Sequence, residues 1–366
     1  MPPPDVIIIG AGPAGCVAAC LLARASWRVT LVEQHRFPRD KVCGECLSAV
    51  GIDVLHRAGL LEFVEPIEPV RLTHALLHAP DGASVTITLT REMWGLSRLA
   101  LDRALLDAAR SAGAAVLQPA RCERLDVASK SVTIRDLDTN RISTLPARLI
   151  LLADGKAGLM STRPPPTTDL GVKAHFTGVD GPADAIELFG VAGHYGGLAP
   201  IEGGRWNAAF SVPMRRVRDF GGDLDALFAQ IVGQNVALAR RLRRATRVTA
   251  WLSSPLPRFP VAGDWPAHVI PLGNAAAALE PIGGQGMGLA MRSAEMVAMT
   301  LIEAGGAGID RRALRRRFKR LWALRRTLCR ATAVAMSSPR LASFTIDAAR
   351  IDARVARQVM AWIGKD

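Results

Sequence analysis

The sequence predicts an α/β protein that opens with a Rossmann-like βαβ unit. Three observations carry this reading. Residues 5–9, DVIII, form a β-branched run of the kind that makes a buried parallel strand. The glycine turn Gly10-Ala11-Gly12-Pro13-Ala14-Gly15 follows at once and leads into an apolar helix. A second strand, RVTLVE, ends on Glu33, eighteen residues after Gly15. In such a unit Gly10 makes the tight turn, Gly12 lets backbone approach a pyrophosphate, and Gly15 lets helix and strand pack closely. The helix N-terminus, with Pro13 and Ala14 in its first turn, favours phosphate charge. Glu33 is placed to accept hydrogen bonds from a ribose diol. NAD and FAD both use this fingerprint, so it defines a class of cofactor and leaves the choice to the rest of the chain.

At 366 residues the chain exceeds the size at which one core stops growing, and two interleaved lobes are expected. Hydrophobic residues make up 49% and charged residues 22%, which excludes fibrous and disordered classes. The net charge of +13 favours acidic partners, anionic cofactors or a membrane surface. No run approaches the ~20 apolar residues of a membrane-spanning helix, and no signal-peptide pattern opens the sequence. A cytoplasmic protein is expected, with peripheral membrane contact left open. Six cysteines, at positions 16, 20, 43, 46, 122 and 329, are too few for a disulfide framework. Cys43 and Cys46 have no second Cys-x-x-Cys or His-x-x-x-His to complete a zinc site, so no metal is expected.

Three later segments choose the cofactor. Residues 96–117, LSRLALDRALLDAARSAGAAVL, set Arg98 before a helix and a strand. In LILLADGKAG a buried strand ends at Asp154-Gly155. Residues 269–298 contain GNAAAALEPIGGQGMGLA, with Asn274, Pro281, Gly283, Gly284, Gln285, Gly286 and Met287. In this order the segments resemble the FAD-dependent group A monooxygenase superfamily, which includes aromatic hydroxylases, geranylgeranyl reductases and flavin-dependent halogenases. The resemblance implies FAD as cofactor, with NADH or NADPH as a transient reductant. It places Arg98 near the diphosphate or ribityl chain, Asn274 where relatives carry an Asp that binds a ribityl hydroxyl, and residues 281–288 as a loop entering a helix that faces the isoalloxazine. Gly158 and Ser161 stand where the second motif has Ser and Arg, a departure in a loop associated with pyridine-nucleotide handling. The stretch KVCGECLS resembles a flavin-facing loop of the same superfamily, which implicates Cys43, Gly44 and Glu45.

The implied fold is an interrupted Rossmann-like FAD-binding domain (1–70, 96–160 and 261–300), a mixed β-sheet substrate domain (71–95 and 161–260), and C-terminal helices from 301 to 366. Residues 70–89 read as a hairpin turning at Pro80-Asp81-Gly82. A helix is expected near 223 to 244, and Pro164-Pro165-Pro166 mark a crossing between lobes. In GVKAHFTGV, alternation puts Lys173, His175 and Thr177 on one face and Val172, Ala174 and Phe176 on the other. If the polar face meets the cavity, His175 is a candidate base and Lys173 an anchor for an acidic group. Residues 195–200, YGGLAP, resemble the reductases' substrate wall, but Gly197 and Ala199 replace bulky aromatics. His194 is a second candidate base and Tyr195 a hydrogen-bonding wall.

Residues 311–330 carry ten Arg/Lys and no acid, with Leu314, Phe318, Leu321, Trp322 and Leu328 at helical spacing. The expected basic amphipathic helix either packs on the first lobe or docks a membrane, carrier, peptide or protein partner. No nucleic-acid fold signature accompanies it. The expected reaction is hydroxylation of a phenolic, polyketide-like or quinone-like ring, free or linked to a carrier or peptide, with NAD(P)H and O2 through a flavin C4a-hydroperoxide. The alternatives are double-bond reduction in an isoprenoid, thiol-disulfide exchange through Cys43 and Cys46, halogenation, and a non-enzymatic FAD-binding role.

Overall fold

Short β-branched runs from widely separated parts of the chain pair into a five-stranded parallel sheet. In the computed structural model, which describes residues 4–156, 158–159, 168–256, 258–305 and 308–351, its order is Val269–Pro271, Leu149–Leu152, Val6–Ile9, Val29–Val32 and Ala115–Leu117. Val6 pairs with both Leu149 and Val29, so the first strand is central. It is buried on both faces, as its unbroken apolar run requires. Val6 and Ile8 pack under the helices Pro13–Arg24 and Gly286–Glu303. Ile7 and Ile9 pack against a three-stranded antiparallel sheet, Ala120–Asp126, Ser131–Asp136 and Ile142–Pro146, which the sequence reading did not assign.

A nine-stranded mixed sheet forms the second lobe. Its hairpin joins Val70–His78 to Ser84–Gly95 through a turn in which Asp81 accepts from the Ala83 N–H and Gly82 takes φ +96°. The strand Asp169–Thr177 sends Val172, Ala174 and Phe176 into an aromatic core with Phe210 and Leu227. Two helices, Leu224–Gly233 and Val236–Leu242, stand where one was expected over 223 to 244. The break is Asn235, whose side chain caps the second helix at the Leu238 N–H and donates to the His78 and Gly190 carbonyls. Cys46–Leu47 pairs with Trp94 and Gly95, stitching the loop before it to this sheet.

The basic helix runs over Arg311–Met336. Leu314, Phe318, Leu321 and Trp322 pack on the first lobe, while Cys329, Ala333 and Met336 pack beside Ala79, Ile87 and Tyr195 of the second. The apolar stripe is thus used in holding the lobes together. The expected crossing at Pro164-Pro165-Pro166 and the motif position Ser161 lie outside the described residues. No described helix is long and apolar enough to cross a membrane.

Candidate active site

The glycine turn is shaped by close backbone approach. Gly10 takes φ +101°, and a Cβ there would lie 2.5 Å from the Ala153 carbonyl oxygen. One at Gly15 would lie 1.8 Å from the Gly10 oxygen, so neither position admits a side chain. Glu33 directly follows the second strand, beside the glycine turn. It is buried, and its carboxylate accepts from the Ala11 N–H at 2.9 Å and the His35 N–H at 2.8 Å, fixing the turn to the second strand.

A groove runs from this turn to the start of the helix Gly286–Glu303. Among the residues expected to bind a cofactor, Gly12, Pro13, Ala14, Arg98, Gly155 and Asn274 line it. So do Cys43, Gly44, Glu45, Pro281, Gly284, Gly286 and Met287. Gly10, Gly15, Glu33, Asp154, Gly283 and Gln285 do not line it. A Cβ at Gly44 or Gly286 would meet nothing within 4 Å, and one at Gly12 only the Arg98 guanidinium at 3.8 Å, so these glycines leave open space. The helices Pro13–Arg24 and Gly286–Glu303 start there with no side-chain cap and no acid in the first turn. Their orphan N–H groups and dipoles suit an anion.

Two further groove residues, Lys41 and Lys156, were missed in the sequence. Burial pushes the Lys41 ammonium down to about 8, and Arg98 and Arg39 push the same way. Burial also brings Lys156 to about 8. The Arg39 Nε is buried without a hydrogen-bond partner, while Arg98 is clamped by Asp102 at 2.5 and 2.7 Å. Partly buried cations that depress one another call for an anion between them. Together with the open glycines and paired helix starts, they fit a diphosphate-bridged dinucleotide.

The loop before Cys46 is tied down by a buried ion cluster. Glu45 takes φ +56° with no side-chain exposure, and its oxygens meet Lys173 Nζ at 2.5 Å, His175 Nε2 at 2.7 Å and the Arg98 N–H at 2.8 Å. Lys173 Nζ also reaches Asp40 at 2.7 Å. Asp40, Glu45 and His175 approach as ligands of a cation would, all within 4.8 Å, and the Lys173 ammonium supplies the positive charge. Alternation did place Lys173 and His175 together. The face they share meets this loop and not the cavity, which corrects their expected roles as substrate anchor and base: they line neither the groove nor the cavity described next.

Across the loop lies an apolar cavity between the mixed sheet and residues 281–284. Gly197, Ala199, Ala209 and Phe210 form its sheet side, and Cys43, Gly44 and Pro281 border both cavity and groove. Tyr195 lines it, and its hydroxyl donates to Glu280 at 2.5 Å. Burial, reinforced by the Glu280 charge, raises the Tyr195 pKa well above the usual phenol range, so Tyr195 is a neutral donor. His194, one residue earlier, projects to the other side of the strand. Its Nδ1 lies 3.1 Å from the Ala192 oxygen, and burial pushes it down to about 4, so it too is withdrawn from the expected role of cavity base. Cys43 and Cys46 are free thiols; burial raises Cys46 well above the ordinary thiol range, which removes it as a thiolate nucleophile.

Comparisons with known proteins agree with this geometry. A family model described as an FAD binding domain matches residues 4–186, half of the chain. Kynurenine 3-monooxygenase of Xanthomonas oryzae pv. oryzae is 26% identical over 81% of this chain and 71% of its own. Digeranylgeranylglycerophospholipid reductase 2 of Methanopyrus kandleri is 27% identical over 77% and 73%. Curated relatives that match most of this chain are themselves spanned over 63% to 73% of their length. Among solved structures, the flavin-dependent brominase Bmp2 shares the fold with a TM-score of 0.85, at 16% identity over 99% of this chain and 93% of that one. The chain belongs to the FAD binding domain family, within the superfamily that holds group A monooxygenases, geranylgeranyl reductases and flavin-dependent halogenases, and is a FAD-dependent oxidoreductase.

Proposed function

We propose that the protein hydroxylates an electron-rich aromatic ring, phenolic or quinone-like, with NADH or NADPH and O2. The observation that carries the reading is the apolar cavity with the Tyr195–Glu280 hydrogen bond in its wall. A kynurenine 3-monooxygenase among the relatives supports it. FAD, held by Gly12, Lys41, Arg98, Lys156, Asn274 and the start of the helix Gly286–Glu303, supplies reduction of O2 and delivery of one oxygen atom.

The chain's own residues do the rest. Small side chains at Gly197, Ala199 and Ala209 leave a flat space for a ring beside the 281–284 loop, and the apolar walls exclude water. Tyr195 already donates its proton to Glu280, so its oxygen is free to accept from a substrate hydroxyl. As that hydroxyl loses its proton to the Tyr195 oxygen, the Tyr195 proton moves to Glu280. Two arginines flank this carboxylate, Arg258 Nε at 2.6 Å and Arg330 Nη1 at 3.1 Å, and fix its position against the Tyr195 hydroxyl.

Substrate screening of the holoprotein with phenols, quinols and prenyl chains, with and without O2, tests the reading. Tyr195→Phe is expected to lower kcat on a phenol by about 10²-fold or more, the usual size of a positioned proton-transfer contribution. Undiminished turnover in the absence of O2 overturns hydroxylation. A second reading, reduction of an isoprenoid double bond, is favoured by Cys43, whose position bordering both groove and cavity suits a proton donor, and by the reductase relative. It predicts O2-independent turnover that is lost in Cys43→Ala.

A further inference from the structure

A second, larger cavity of about 880 Å³ opens between the basic helix and residues 258–280. This lies in the upper part of the ~300–1,000 Å³ range of small-molecule sites. The helix side carries Arg326, Arg330 and Val334 at successive turns, the facing segment carries Arg258 and Phe259, and Leu341 adds apolar surface. The guanidiniums outnumber the carboxylates that meet them. Asp169 and Glu280 pair with Arg258, and Glu280 also pairs with Arg330 at 3.1 Å. Arg326 is exposed and meets no acid among the described residues.

Arg258 and Arg330 meet Glu280, the partner of Tyr195, but Arg326 serves neither site described above. The cofactor groove has its own cations in Lys41, Lys156 and Arg98, and the apolar cavity has no charged lining residue. The arginine cavity is nonetheless joined to the chemistry, because Ala278 and Glu280 line both it and the cofactor groove beside the 281–284 loop. An enzyme that consumes a reductant as well as an acceptor needs a second docking place that reaches the cofactor. A pyridine dinucleotide carries the phosphates that planar guanidinium forks recognise and flat rings that an apolar wall accepts.

We infer that this cavity is the docking site of the pyridine dinucleotide, with its phosphates on Arg326 and Arg330 and a ring against Phe259 and Val334. The inference rests on the reading of the enzyme as a two-substrate oxidoreductase, and it assigns Arg326 as a residue that sets affinity for the donor. Its exposure and its lack of an acidic partner among the described residues make Arg326→Ala a substitution that leaves the fold intact.

Calorimetric titration of the FAD-loaded protein with NAD+, NADP+ and adenosine diphosphate ribose tests it. At least one dinucleotide is expected to bind, more weakly as salt rises, with the affinity lowered about tenfold or more in Arg326→Ala, partly restored in Arg326→Lys, and lowered also by Val334→Glu, which puts a carboxylate one helical turn from Arg330. FAD content should be unchanged in all three. In turnover, Arg326→Ala should raise the donor KM and leave kcat at saturating donor as in the parent. Dinucleotide affinity that is the same in parent, Arg326→Ala and Val334→Glu overturns the site. So does tight binding of phosphatidylglycerol vesicles or of an aryl carboxylate at this cavity with no dinucleotide binding. Arginine-dependent dinucleotide binding in an enzyme that hydroxylates nothing leaves this site standing and removes only the hydroxylation reading.

Discussion

FAD affinity should depend on pH through Lys41 and Lys156. In the free protein both ammonium groups sit at about 8, chiefly because the groove buries them, against 10.5 for an ordinary lysine. A bound diphosphate restores the charged form of each. At pH 8 each free lysine is half protonated, so binding FAD should take up about half a proton at each, roughly one in total, and almost none at pH 6.5. With two such groups, the association constant should fall about 100-fold between pH 7 and 9. The sign for the fold runs the other way. A depressed lysine pKa means the empty groove favours neutral lysines, so the FAD-free protein gains stability as pH rises from about 8 towards 10.5, where the complex loses affinity. Titrating FAD into the apoprotein calorimetrically at pH 8, in buffers of different ionisation enthalpy, reads the proton uptake directly. Lys41→Met or Lys156→Met should each halve it. No uptake at pH 8, or an affinity flat from pH 7 to 9, would refute the placement of the diphosphate between these lysines.

Further outcomes concern the supporting residues. Glu45→Gln removes the carboxylate that Lys173, His175 and the Arg98 N–H share, leaves Lys173 paired with Asp40 alone, and should cost about 1–3 kcal/mol in urea unfolding, with loss of retained FAD. His194, held at about 4 by burial against 6.5 unfolded, should make the protein lose about 3 kcal/mol as pH falls from 6.5 to 4, because only the unfolded chain takes up that proton in this window. Replacing it with Gln should flatten the urea-midpoint profile there. Cys46→Ser should retain turnover, since this thiol is buried and packs beside Leu72, Met93 and Ala199; lost turnover with FAD still bound would revive thiol chemistry.

Features dictated by neighbouring residues were legible in the sequence. The β-branched run before Gly10 yields the central strand, the glycines yield the turn, and the alternation in residues 171–177 correctly separates Val172, Ala174 and Phe176 from Lys173 and His175. What meets each face is another matter, because it is set by distant segments. Lys173 is neutralised by residues 128 and 133 positions away, so a polar face that looked suited to substrate became the anchor of a loop. Likewise the helix break at Asn235 depends on the carbonyls of His78 and Gly190, which no local window contains. Lys41 and Lys156 carried a usable signal, since each lies within two residues of a recognised motif, at Cys43-Gly44 and Asp154-Gly155. The pairing of Tyr195 with Glu280 spans 85 positions and appeared only in three dimensions.

Turnover under ¹⁸O2 tests the central claim most directly. With FAD bound, NAD(P)H present and an accepted phenol in the cavity beside Tyr195, the product should carry one ¹⁸O atom per ring hydroxylated, with reductant and O2 consumed one to one. A product formed at the same rate without O2, or one that contains no ¹⁸O, would contradict it.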